Sequence, residues 1–153
     1  MNLIFRSAEE QDLLSVIQLL AEDQLGASRE TIGTTPDHQY LAAYRSINSD
    51  PNNELVVAKE DGEILGTMQL TFIPGLSHLG AWRCQIEAVR VREDKRGHGI
   101  GQKMITWGIA QARIKGCRLV QLTTDKRREN AHIFYERLGF KPRHIGMKLS
   151  LDS

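Results

Sequence analysis

The stretch richest in possible chemistry is QIEAVRVREDKRGHGIGQKMITWGIAQ, from Gln85 to Gln111. At its centre, Arg96-Gly97-His98-Gly99-Ile100-Gly101 is a glycine-rich turn between an alternating pattern and a helical one. Such a turn points successive backbone N–H groups outward, with the positive end of a helix dipole behind them, and that combination suits phosphate. Two common phosphate loops do not fit. A dinucleotide fingerprint needs Gly-x-Gly-x-x-Gly, and counting from Gly97 or Gly99 the third glycine is missing. A nucleoside-triphosphate loop needs Gly-Lys-Ser/Thr, but Gln102, Lys103 and Met104 follow Gly101. What remains is Arg-x-x-Gly-x-Gly, as Arg96, Gly99 and Gly101; a turn that binds nothing is the alternative.

The elements on either side must hold this turn. Before it, Gln85, Glu87, Val89 and Val91 alternate with Ile86, Ala88 and Arg90, which predicts a strand with the first set on one face. After it, Gly101, Met104, Ile105, Gly108, Ile109 and Ala112 recur at helical spacing, with Gly116 as the stop. Earlier in the chain, Leu3–Phe5 reads as a short strand. Ser7 and Glu10 then read as a capping box for a helix starting near Ala8, with the stripe Leu13, Val16, Ile17 and Leu20, ended by Gly26. An irregular stretch, 27–36, precedes a helix over Asp37–Ile47. Two strands, Glu54–Lys59 and Glu63–Ile73, flank the Asp61-Gly62 hairpin signal. Pro74–Gly80 is a loop. Later come a strand over Cys117–Thr124, a helix over Ala131–Leu138 capped by Gly139, and a strand from Phe140 that Pro142 restricts. A last strand alternates Ile145, Met147, Leu149 and Leu151 with Gly146, Lys148 and Ser150. The order β-α-α-β-β-β-α-β-α-β-β predicts an α/β mixed sheet with helices on both faces, as a single domain over 1–153.

The Arg-x-x-Gly-x-Gly turn resembles the pyrophosphate loop of the GCN5-related N-acetyltransferase (GNAT) superfamily. So does the segment Ala131-His132-Ile133-Phe134-Tyr135-Glu136-Arg137-Leu138-Gly139-Phe140, and the order of elements extends the likeness over nearly the whole chain. The resemblance implies a mostly antiparallel sheet and an acyltransferase that uses acetyl-coenzyme A (acetyl-CoA), without a metal, to acetylate a primary amine of a small molecule or peptide. Arg96, Gly97, His98, Gly99, Ile100 and Gly101 would hold the pyrophosphate, and backbone groups of Val89 and Val91 would hold the pantetheine arm like an added strand. Phe134 belongs to the same cofactor-binding set. The family often has an asparagine three residues before the position of Ala131; Arg128 stands there instead, and Asn130 is either a cofactor contact or the helix N-cap.

Acyl transfer to an amine needs a proton removed from the amine, a donor for the thioester oxygen and a stabilised thiolate. The resemblance assigns the first task to Glu87 as general base, directly or through water, and the last to Tyr135 as general acid. A half-exposed carboxylate and a packing aromatic are the plainer readings of those two residues. A non-catalytic acyl-CoA-binding or sensory module, a hydroxyl acceptor and a longer acyl group remain as alternatives.

Composition narrows the rest. A net charge of +1 gives no electrostatic case for nucleic acid or an anionic membrane. Hydrophobic content of 41% and charged content of 25% are those of a globular protein. The N-terminus, turning acidic at once, lacks the pattern of a secretory signal. Cys84 and Cys117 form no framework, no histidine or lysine is placed to activate them, and the five histidines show no metal-ligand spacing. A cytoplasmic enzyme with two reduced, buried thiols is the expectation, and a homodimer is a family expectation. The acceptor should meet residues 27–36 and 73–82.

Overall fold

A computed structural model gives the structure of residues 2–152. Five strands build one sheet in the order β1-β2-β3-β4-β5: β1 Ile4–Ser7, β2 Asn53–Glu60, β3 Glu63–Ile73, β4 Trp82–Val91 and β5 Cys117–Leu122. Strands β1 to β4 pair antiparallel, and β5 joins β4 in parallel. A parallel neighbour requires a crossover. Helix α5, Ile100–Ile114, supplies it.

The helical stripe explains which face α5 covers. Ile100, Met104, Ile105 and Ala112 are buried with Val56, Ala58, Met68, Leu70, Cys84 and Ile86 in the main core. The helix lies close to the sheet at Gly108, where a Cβ would stand 3.3 Å from Met68 Cε and 3.5 Å from Ile86 Cδ1. Helix α6, Glu129–Arg137, adds Phe134, Tyr135 and Leu138 to this layer.

The other face carries α1, Leu13–Ala21, and α3, His38–Ser49, over a smaller core of Ala8, Val16 and Val57. Asp37 caps α3 by accepting the Gln39 N–H at 2.8 Å. A single turn, α2 (Gln24–Ala27), lies between them, capped by Asp23, and a turn α4 (Ser77–Gly80) precedes β4.

Several elements depart from the sequence pattern. The helical region opens as a 3₁₀ turn at Glu10, not at Ala8, and its reciprocal cap is Glu9 with Asp12. The Asp12 carboxylate accepts the Glu9 N–H and also binds Arg6 at 2.7 Å, while Ser7 donates instead to Glu54. Gly26 sits inside α2, where a Cβ would collide with the Leu20 carbonyl; close approach, and not helix termination, requires it.

The two expected final strands are absent among the described residues. Gly139 N–H bonds to Glu136 O and Phe140 N–H to Tyr135 O, the paired bonds of a Schellman cap, so Phe140 completes α6. From Ile145 to Leu151 the chain keeps its alternating sequence but pairs with no strand. Alternation selects faces; only a neighbour's backbone makes a strand.

Candidate active site

Two irregularities in β4 shape the site. The first is a bulge. Thr67 pairs with Arg90 and Gln69 with Glu87, leaving Ala88 and Val89 opposite the single residue Met68, with Ala88 at φ 53. A bulge shifts the side-chain phase by one. Cys84 and Ile86 face the α5 core before it, and Val89 and Val91 face that same core after it. The uninterrupted alternation expected from the sequence, with Glu87 and Val89 on one face, is therefore incorrect. Its signal was legible as apolar positions moving from even to odd numbers.

The second irregularity is a divergence. The β4–β5 ladder runs only from the Trp82–Cys117 pair to the Ile86–Leu122 pair. Beyond Ile86, β4 continues through Glu87, Val89 and Val91 with no neighbour on that side. The edge lies inside the sheet without a strand partner, a place where an extended ligand can be added, although the Val89 and Val91 carbonyls accept from the side chains of Arg90 and Arg96.

This edge runs directly into the glycine turn. Gly97 and Gly99 both have φ 82, a region costly for residues with a Cβ, and a Cβ on either would meet nothing within 4 Å. Space is open above the turn, and α5 begins immediately behind it at Ile100. His98 Nδ1 contacts the carbonyls of Lys95 and Arg96 at 3.1 and 3.0 Å, bracing the turn from within. Arg96 donates through Nε to Val91 O at 3.1 Å and stands 3.7 Å from Glu22, whose carboxylate also accepts the Glu93 N–H. Gly101 is a packing position: a Cβ there would lie 3.3 Å from Phe134 Cζ and 3.7 Å from Val91 Cγ2.

Glu87 is exposed on the face opposite α5, paired in register with Gln69. It belongs to a polar strip across the sheet. Thr71 and Gln69 donate to Asn53 Oδ1 at 2.7 and 3.3 Å, and Gln121 donates to Gln85 at 3.2 Å. Neither α1 nor α3 buries this strip as they bury Val57.

Tyr135 is half-buried between Phe134 and Phe140, edge-on to both at 5.1 and 5.8 Å. Burial pushes its phenol above the ordinary tyrosine value, and the charges of Arg90 and Arg128 partly oppose that rise. The group stays protonated at neutral pH. Arg128 pairs with Asp23, and Arg90 donates to Val89 O at 2.9 Å. Burial, then the neighbouring Arg128 charge, lowers the Arg90 pKa, and Arg90 Nε and Arg128 Nη2 are buried without a partner. Arg90 and the Asp23 contact were not anticipated from sequence; an arginine in an otherwise apolar half-strand was the available signal. Asn130 is exposed on the first turn of α6 and is not its cap, a position taken by Arg128.

Cys84 is fully buried, and burial with a smaller push from Cys117 raises its thiol to about 12, which removes it as a nucleophile near neutral pH. A cleft of about 290 Å³ between α3 and β2, lined by Tyr44, Asn48 and Asn53 among others, holds none of the candidate residues. No helix among the described residues is long and apolar enough to cross a membrane.

Known proteins resemble this chain in sequence and in fold. An aminoalkylphosphonate N-acetyltransferase of Salmonella typhimurium is 35% identical over 96 residues, which are 63% of this chain and 62% of that protein. A crystal structure described as a transcriptional regulator from Bacillus halodurans superposes with a TM-score of 0.95 at 44% identity, covering 98% of this chain and all of that one. An acetyltransferase structure from Trypanosoma brucei gives 0.79 at 29% identity, covering 98% and 100%. The sequence profile of the Acetyltransferase (GNAT) family matches residues 15–140. The chain is a member of the GNAT acetyltransferase family.

Proposed function

We propose that this protein transfers the acetyl group of acetyl-CoA to a primary amine of a small molecule or peptide by direct attack. The observation that carries the reading is the inner edge of β4 from Glu87 to Val91, which no strand covers and which runs into the open glycine turn at the start of α5. Val89 and Val91 present backbone groups to the pantetheine arm. The turn from Arg96 to Gly101 presents N–H groups to the pyrophosphate, with Phe134 closing one side.

Glu87 accepts a proton from the attacking amine, directly or through a water on the polar strip, as the C–N bond forms. The bulge at Ala88 leaves the Val89 N–H as donor to the developing oxyanion. As the C–S bond breaks, Tyr135 gives its proton to the departing thiolate. Arg90 and Arg128 favour that proton loss by stabilising the phenolate.

An amine that also carries an anionic group is the first acceptor class to test. The Salmonella relative is described as acting on an aminoalkylphosphonate, and two buried guanidinium nitrogens here lack partners. Arg128 and Asn130 remain candidates for cofactor contact once Asp23 is exchanged. Two unpaired cysteines suit a cytoplasmic setting. A second reading, a regulatory acyl-CoA-binding module, has one observation behind it, the description of the 44%-identical structure as a transcriptional regulator.

Calorimetric titration with acetyl-CoA, repeated on Gly99→Trp, tests the cofactor site; binding lost in the variant is expected, and no binding by the native protein overturns both readings. A thiol-release screen of amines with and without phosphonate or carboxylate then separates them. Binding without turnover on any amine favours the regulatory module.

A further inference from the structure

The bulge in β4 decides which side chains share the face that carries Glu87. On an unbroken strand Glu87 and Arg90, three residues apart, would point to opposite faces. The register shows otherwise. Glu87 pairs with Gln69 and Arg90 with Thr67, and these two pair in turn with Leu55 and Val57, on the side of the smaller core. The extra residue of the bulge therefore returns Arg90 to the face of Glu87. Since Thr67 and Gln69 are two residues apart on β3, the two positions lie about 6.6 Å apart along the sheet.

Positive charge is in excess there. Arg90 Nη1 donates to Val89 O at 2.9 Å, but its Nε is buried without a partner, as is Arg128 Nη2. Arg29, exposed just past α2, adds a third guanidinium that acts on Arg90, and Asp23 is the carboxylate that opposes them. Both Asp23 oxygens are engaged, one by the Gly26 N–H at 2.6 Å and the other by Arg128. Buried guanidinium nitrogens without acceptors are costly, and a bound anion removes that cost.

We propose that Arg90, with Arg128 beside it, holds an anionic group of the acceptor, and that the bulge sets the distance from that group to the amine at Glu87. This assignment rests on the acetyl-transfer reading given above. The acceptor it selects is a short chain with a primary amine at one end and a carboxylate, phosphate or phosphonate at the other. A separation of about 6.6 Å suits a spacer of about two to four carbons. Asp23 occupies Arg128 until the acceptor's anion competes for it.

Two measurements test the assignment. In the first, kcat/KM is compared across primary amines of increasing chain length, plain or ending in carboxylate or phosphonate. Anionic acceptors with the short spacer should exceed plain amines of equal length by on the order of 10²-fold, and Arg90→Gln should bring that ratio towards one. Taking the ratio cancels any effect of Arg90 on Tyr135. In the second, protein saturated with CoA, its glycine turn thereby occupied, is titrated calorimetrically with methylphosphonate. Binding should tighten several-fold in Asp23→Asn, which keeps a capping oxygen for α2 but loosens the hold on Arg128. A carboxylate with only a structural role would give no such gain. Failure of CoA to bind, or turnover of no amine, overturns the transferase reading and this assignment with it. With CoA bound and amines turned over, any of four results overturns the assignment alone: plain amines preferred, a ratio independent of chain length, a ratio kept in Arg90→Gln, or methylphosphonate bound no better by Asp23→Asn.

Discussion

Opposing neighbours set how readily the Tyr135 phenol ionises. Burial holds the proton on the phenol, and the guanidinium groups of Arg90 and Arg128 ease its departure. If Tyr135 is the acid, Tyr135→Phe should lower kcat by about 10²–10⁴-fold while acetyl-CoA binding is retained, and Glu87→Gln should cost a comparable factor in kcat/KM. The alkaline limb of the kcat profile should lie above the ordinary tyrosine value of about 10, since the proton is lost only as pH rises through the raised pKa. In Arg90→Gln, a charge that lowers this pKa is gone, so the limb should move to still higher pH. Cys84 offers a negative control: with its thiol pushed up to about 12 and fully buried, it should resist a disulfide reagent until the chain is unfolded.

At the scale of elements, the glycine turn and α5 were legible because their signals are local. The phase of Met104, Ile105 and Ala112 and the left-handed glycines are properties of neighbouring residues. Two features were not legible for the opposite reason. The bulge at Ala88 depends on what stands across the ladder at Met68, and the missing final strands depend on a partner that the alternation of Ile145 to Leu151 does not specify. Arg128 likewise turns to Asp23, a residue 105 positions away. The packing of α5 on α6 gives a prediction at this scale. Gly101→Leu must displace Phe134, which is 3.3 Å from the position of a Cβ, so it should lower stability by about 1–3 kcal/mol and weaken acetyl-CoA binding together. A urea melt and a titration on the same preparation check it.

Across the whole molecule, the Arg6–Asp12 pair ties β1 to the start of α1. Burial alone would raise the Asp12 pKa, but the hydrogen bonds from Arg6 and the Glu9 N–H and the nearby positive charges outweigh it and hold it low. A depressed carboxylate stabilises the fold above its unfolded pKa, and that contribution is lost as pH falls through the folded value. Asp12→Ala should therefore cost about 2 kcal/mol near neutral pH, with the difference from the native protein shrinking below about pH 4. Urea melts at several pH values measure it.

The parting of β4 from β5 has a consequence beyond binding. A sheet whose interior strand lacks a neighbour on one side from Glu87 to Val91 is unfinished where most folds are firmest. Whatever lies along that edge becomes part of the protein's architecture, protecting amides there from hydrogen exchange and adding about 2.7 kcal/mol of stability at a hundredfold excess over Kd. The amount of folded protein that survives would then follow the supply of whatever ligand occupies that edge.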